Sequence, residues 1–105
     1  MQTIVEMPEF QKRSERLLSK SERISIINYL AKYPASGDIM QGTGGIRKLR
    51  WSAQGKGKSG GVRVIYYWVV ADDQLRMLYA YPKSEQEDLT KDQLAVLRKV
   101  VEEWL

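Results

Sequence analysis

The side chains able to do chemistry in this chain are cations and tyrosines. Its 105 residues include no histidine and no cysteine. The usual neutral-pH acid–base group and the thiol nucleophile are both excluded. So are a disulfide framework and a cysteine-based zinc site. Proton transfer would fall to carboxylates, Lys, Tyr, Ser or Arg, or to groups of the substrate itself. Arg47, Lys48, Arg50, Lys56, Lys58 and Arg63 all lie between positions 39 and 71, a stretch without an acid. That stretch carries six positive charges while the whole chain is +4, so the remainder is −2. Seven of the eight glycines fall in the same region, between Gly42 and Gly61. A basic, glycine-rich centre fits a local anion-binding face. It fits equally a solvated loop between two strands.

Within it, Gly55 to Gly60 read GKGKSG, which matches the G-x-G-x-x-G dinucleotide fingerprint and ends like a phosphate-binding Walker A loop. The fingerprint needs a strand before it and a helix after it. Here the flanking segments IRKLRWS and VRVIYYWVV both carry strand patterns. A Walker A loop needs a glycine five residues before Gly57, and Ser52 stands there. Context therefore rejects both nucleotide readings. What is left is a hairpin loop with two lysines, whose glycines let the backbone approach a partner closely.

The elements that must position these groups follow from periodicity. Thr3 to Met7 (TIVEM) predicts a first strand, and Pro8 suits the first turn of a helix bearing Phe10, Leu17 and Leu18. Ser21 is the expected cap of a second helix, with Ile24, Ile26, Ile27, Leu30, Ala31 and Tyr33 on its apolar side and Pro34 and Gly37 ending it. Strands are expected at Ile46–Ser52, Val62–Val70 and Leu75–Tyr81, with a turn at residues 71–74. Thr90 and Gln93 form a capping box that opens a last helix carrying Leu94, Leu97, Val100, Val101 and Trp104. The order β-α-α-β-β-β-α predicts an α+β fold: a small antiparallel sheet with the helices packed on one face. A hydrophobic content of 43% with 29% charged residues fits a single globular domain over 1–105. No apolar run approaches the roughly 20 residues of a membrane span. The acidic start MQTIVEMPEFQKR lacks the apolar stretch of a signal peptide. A cytoplasmic protein without a membrane partner is the expectation.

Alternation along strands then sorts the side chains. Val62, Val64, Tyr66, Trp68 and Val70 share the expected core side, leaving Arg63, Ile65, Tyr67 and Val69 opposite. Leu49 and Trp51 point to the core and place Lys48 and Arg50 with Arg63. Arg47 has the other parity and is assigned to the strand's entrance. Tyr81 and Lys83 stand at the end of the last strand, in phase with Tyr79. Lys and Arg contact phosphates, and tyrosine rings can stack on unpaired bases. For Tyr67 and Tyr79 ordinary β-propensity explains the residue type without stacking. Arg63 is harder to explain away, because a lone arginine in so apolar a strand is costly without a partner or a task.

The run Gln41 to Trp68, QGTGGIRKLRWSAQGKGKSGGVRVIYYW, followed by YPKSEQEDLTKDQ from Tyr81 to Gln93, closely resembles the RelE superfamily of bacterial toxin–antitoxin modules, in particular its HigB-like branch. The resemblance is clear over residues 36–105 and extends to the first helices only in layout. It implies a compact, microbial-ribonuclease-like fold. It implies a toxin that enters the ribosomal A site and cuts messenger RNA without a metal or cofactor. It also implies a cognate antitoxin, with operator DNA contacted only through the toxin–antitoxin complex. By residue, Lys56 and Lys58 match the family's loop lysines, and Arg63 the arginine on the scissile phosphate. Tyr81 and Lys83 match the polar group after the last strand, and Arg47, Lys48 and Arg50 the basic strand that tracks the RNA backbone. The family's further arginine late in the last strand is absent, since Leu78 to Tyr81 read LYAY.

RNA brings its own nucleophile, the 2′-hydroxyl. Its attack on the adjacent phosphorus gives a 2′,3′-cyclic phosphate and a free 5′-hydroxyl. The protein must align the nucleotide, move two protons and stabilise charge on the phosphoryl oxygens. The guanidinium fork of Arg63 suits the last task. Neighbouring cations depress a lysine's pKa, which makes Lys56 or Lys58 the expected base near the 2′-hydroxyl. Lys83 or Tyr81 is the expected donor to the leaving oxygen. The same basic face would also serve a non-catalytic nucleic-acid-binding module, or a homologue that blocks translation without cutting.

Overall fold

The computed structural model describes residues 1–52 and 61–104. Its elements are β1 (Thr3–Glu6), α1 (Pro8–Leu17), α2 (Lys20–Lys32), β2 (Asp38–Ile39), β3 (Ile46–Trp51), β4 (Val62–Val69), β5 (Gln74–Pro82) and α3 (Lys91–Glu102). This is the expected order with two additions, the two-residue β2 and a short 3-10 helix at Val70–Asp72 between β4 and β5. The sheet runs β1-β5-β4-β3-β2, with β1 parallel to β5 and every other neighbour antiparallel. The α+β class holds. No helix among the described residues is long and apolar enough to cross a membrane.

Local chemistry accounts for the helix boundaries. Pro8 occupies the first turn of α1, where a missing N–H costs nothing. Ser19, not Ser21, caps α2: its hydroxyl accepts from the Glu22 N–H (3.1 Å), and Glu22 accepts from the Ser19 N–H (2.9 Å). Ser19 has a glutamate three residues on and Ser21 has Ile24 there, so only Ser19 completes the reciprocal box. Ile26, Leu30 and Ala31 are the buried residues of α2, whereas Ile24 and Tyr33 are exposed. Thr90 and Gln93 cap α3 as expected.

The helices do not all lie on one face. Phe10, Leu18, Ile26 and Leu30 pack on Leu49, Val62, Val64, Tyr66, Leu75, Met77 and Ala80. Across the sheet, Val101, Leu97 and Trp104 pack with Ile46, Ile65, Leu78, Tyr79 and Tyr81. α1 and α2 therefore cover one side and α3 the other. A break in register explains how the second side became apolar enough. Ile65 pairs with Tyr79 but Tyr66 pairs with Met77, so Leu78 is an extra residue in β5. The bulge changes the strand's parity. Leu75 and Met77 face α1 and α2, while Tyr79 and Tyr81 turn toward α3. Full burial of a Leu or Ile side chain contributes roughly 1.5–3 kcal/mol, so Ile46, Ile65 and Leu78 make α3 an integral layer.

Two contacts fix the start of β3. The buried Tyr66 hydroxyl donates to the Pro34 carbonyl and accepts from the Gly37 N–H, each at 2.8 Å. A Cβ at Gly37 would stand 2.7 Å from that ring, so glycine is required there. The Thr43 hydroxyl donates to the Met40 carbonyl (2.6 Å) and accepts from the Ile46 N–H (3.0 Å), closing the turn into β3. Gly45 in that turn has φ +113°, a conformation side chains resist.

Candidate active site

Pairing of three strands builds the site. Arg50 on β3 is directly opposite Arg63 on β4, and Arg63 is directly opposite Tyr81 on β5. Lys48 precedes Arg50 by two residues, so strand alternation puts it on the same face, where it pairs in register with Ile65. Directly opposed residues hold their Cβ atoms about 4.5–5.5 Å apart, and like charges there are destabilising. Neither arginine side chain has an ion pair or hydrogen bond among the described residues. The fold thus holds two arginines in directly opposed positions with no ion pair between either and an acid among the described residues, an arrangement an anionic ligand would relieve.

The other expected groups divide. Arg47 does not join this row. Its parity turns it to the α1–α2 side, where its guanidinium donates to the carbonyls of Gly37 (2.8 Å) and Ala35 (3.2 Å) and lies 6.0 Å from the Trp68 ring. It braces the chain before β2 and is not placed to contact an anion on the Arg63 face. Lys83 is exposed just beyond β5, and its backbone N–H donates to the Gly61 carbonyl (3.0 Å). Lys56 and Lys58 lie outside the described residues. Their described flanks, Ser52 and Gly61, follow and precede the Trp51–Val62 pair, next to Arg50 and Arg63.

Tyr81 is 0% exposed, and its hydroxyl donates to the Glu87 carbonyl at 3.3 Å. Burial first, and then the charge of Asp88, push its pKa up to about 12, against the pull of Arg63 and Arg50. It stands next to Arg63 in the row and holds the turn that follows β5. Tyr79 is likewise enclosed: Arg13 stacks on its ring at 4.1 Å and the Gln93 amide donates to its hydroxyl at 3.1 Å. Tyr67 packs against Trp104 at 6.1 Å. These two tyrosines are packing residues, as β-propensity alone would have them.

A family model described as "RelE toxin of RelE / RelB toxin-antitoxin system" matches residues 7–105. The chain belongs to the RelE toxin family. The match takes in α1 and α2 as well as the basic centre. This RelE-family protein is thus the toxin of a toxin–antitoxin pair, and the family implies a RelB-type antitoxin as its partner.

One residue of the toxin's basic face went unanticipated. Asp88, in the turn between β5 and α3, accepts from the Lys48 ammonium at 2.7 Å. That hydrogen bond, then the charge of Lys48 and of Arg50 and Arg63, holds the carboxyl below the usual range. Asp38, Met40, Lys48, Arg50, Asp88 and Leu94 are among the walls of an open groove of about 360 Å3. A more apolar recess of about 500 Å3 lies apart from this chemistry, lined by Met7, Leu78, Val96, Leu97 and Val100 between α1 and α3. Nothing local flags Asp88 in the sequence, because its partner stands 40 residues earlier.

Proposed function

We propose that this toxin is a ribosome-dependent endoribonuclease that cuts messenger RNA in the A site and so inhibits translation. The observation that carries the reading is the opposed Arg50–Arg63 pair, two guanidinium groups without a partner among the described residues, on a face that also bears Lys48. Arg63 holds the non-bridging oxygens of the scissile phosphate, and Arg50 neutralises the charge that builds as the 2′-oxygen attacks phosphorus. The 2′-hydroxyl loses its proton to Lys56 or Lys58. Lys83, exposed beside Gly61 at the edge of the row, donates one to the departing 5′-oxygen. The products are a 2′,3′-cyclic phosphate and a 5′-hydroxyl. Tyr81 acts by positioning the turn and not by touching substrate. With no histidine available, precise alignment carries much of the rate, and the ribosome supplies that alignment. The site of action is the bacterial cytoplasm, and operator DNA is met only in complex with the antitoxin.

The test is induction of this chain alone in a bacterium, with mapping of new messenger RNA 5′ ends. Translation-dependent cuts inside reading frames, lost in Arg63→Ala and in Lys56→Ala/Lys58→Ala, are the expected result. Growth arrest without new ends would replace cleavage with blockade of the ribosome. A folded chain with no effect would leave only a nucleic-acid-binding module.

A further inference from the structure

Asp88 is 73% exposed at its side chain, and the Lys48 that it pairs with is 15% exposed. The carboxylate therefore lies on the solvent side of the ammonium. An ion pair whose acid is largely solvent-exposed adds only modestly to stability. Its placement is nonetheless built. The Tyr81 hydroxyl holds the Glu87 carbonyl, and the Gln86 amide donates to the Asp88 carbonyl (2.8 Å) and to Gln93 (2.9 Å). The Glu85 N–H donates to the Pro82 carbonyl (3.0 Å), completing the turn. A hydrogen-bonded turn thus presents Asp88 to a face that carries the cations Lys48, Arg50 and Arg63, with Asp38 in register with Lys48 on the side of β2.

A carboxylate oxygen and a non-bridging phosphate oxygen are interchangeable acceptors for an ammonium group, which serves them as a point charge. We propose that Asp88 is a specificity-determining residue: it occupies the position on Lys48 that an RNA phosphate would take, so the face engages RNA weakly unless the substrate is held firmly enough to displace it. The inference rests on reading this face as RNA-binding. The carboxylate would keep so basic a centre from being saturated by bulk RNA. Free RNA gains the contacts of Arg50 and Arg63 but must compete for Lys48. A strand already fixed in place competes with the advantage of a high local concentration.

The experiment is equilibrium binding of a 2′-O-methyl oligoribonucleotide, which cannot be cut, to the purified toxin across a salt series. Asp88→Asn is expected to bind about five- to tenfold tighter near 0.1 M salt. One added phosphate contact should steepen the dependence of log K on log salt by about 0.7. Adding Lys48→Gln should erase most of that gain. Glu87→Gln removes a neighbouring exposed acid and should change binding by less than about twofold, and Asp88→Glu should stay near wild type. Binding unchanged or weakened in folded Asp88→Asn overturns the proposal. So does a gain that survives Lys48→Gln, which would be general charge and not competition. If Arg50→Ala and Arg63→Ala leave binding untouched, the RNA-binding reading fails and this proposal with it. If they weaken binding while Asp88→Asn does not strengthen it, the reading stands and only this proposal falls.

Discussion

Arg50 and Arg63 stand directly opposite one another on antiparallel β3 and β4, and neither side chain has an acidic partner among the described residues. Like charges in this position destabilise a sheet by roughly 0.2–1 kcal/mol relative to neutral pairs. A chain selected for stability alone would not keep the pair. Arg50→Thr should therefore raise the melting temperature by a few degrees while abolishing growth arrest. Calorimetry and induction of the variant would measure both. A lowered melting temperature with toxicity intact would make the pair a structural feature.

Lys83 and Tyr81 are neighbours in sequence with separate tasks. Lys83 is exposed beside Gly61, whereas Tyr81 is enclosed and its hydroxyl donates to the Glu87 carbonyl, its one hydrogen-bond partner among the described residues. Lys83→Ala should lower cleavage by about 10²–10⁴-fold, the range for a lost proton donor, without changing thermal stability. Tyr81→Phe should cost about 0.5–1.5 kcal/mol for its hydrogen bond and keep most of the activity. Cleavage on programmed ribosomes, read beside denaturant unfolding, separates the two. The reverse pattern would return the donor role to the phenol.

Tyr66 joins the sheet to the segment leading into β2. Its hydroxyl serves both the Pro34 carbonyl and the Gly37 N–H. Tyr66→Phe would leave the buried Gly37 N–H without its acceptor and the half-buried Pro34 carbonyl without its donor, at a cost of about 1–3 kcal/mol. Gly37→Ala should be worse than a surface change of the same kind, since the added methyl meets the Tyr66 ring. Urea midpoints would show both losses. A neutral Tyr66→Phe would mean that water reaches these groups.

What the sequence made legible was whatever depends on neighbours along the chain. Alternation placed Lys48, Arg50 and Arg63 on one face and Leu49, Trp51, Val64 and Tyr66 on the other, and the register bears this out. The stripe of α3 showed that it must bury Leu97 and Val101, but a stripe does not say against which face. That depended on the bulge at Leu78, which turns Tyr79 and Tyr81 over and leaves no mark in composition. β2 is too short to have a period. The cap at Ser19 was readable from Glu22 three residues on. The Lys48–Asp88 pair was not readable, because only the closed fold brings those residues together.

Burial of tyrosines makes alkaline stability a test of the core. Tyr81 titrates near 12 in the fold against an ordinary 10.0, with burial the main cause. Burial also raises Tyr66 and Tyr79. A raised pKa means that the folded state holds its proton longer than the unfolded chain does. The contribution is complete below pH about 10 and disappears as pH rises toward about 12, because the unfolded state ionises first. One pKa unit corresponds to about 1.4 kcal/mol, so the rise from 10.0 to about 12 makes the Tyr81 share on the order of 3 kcal/mol. Unfolding free energy measured from pH 8 to pH 12 should fall in that window, and fall less steeply in Tyr81→Phe, which has no proton to lose. The comparison with the variant cancels the pH dependence contributed by every other group. Parallel curves for the two proteins would place the Tyr81 hydroxyl in water, and with it the turn that carries Asp88.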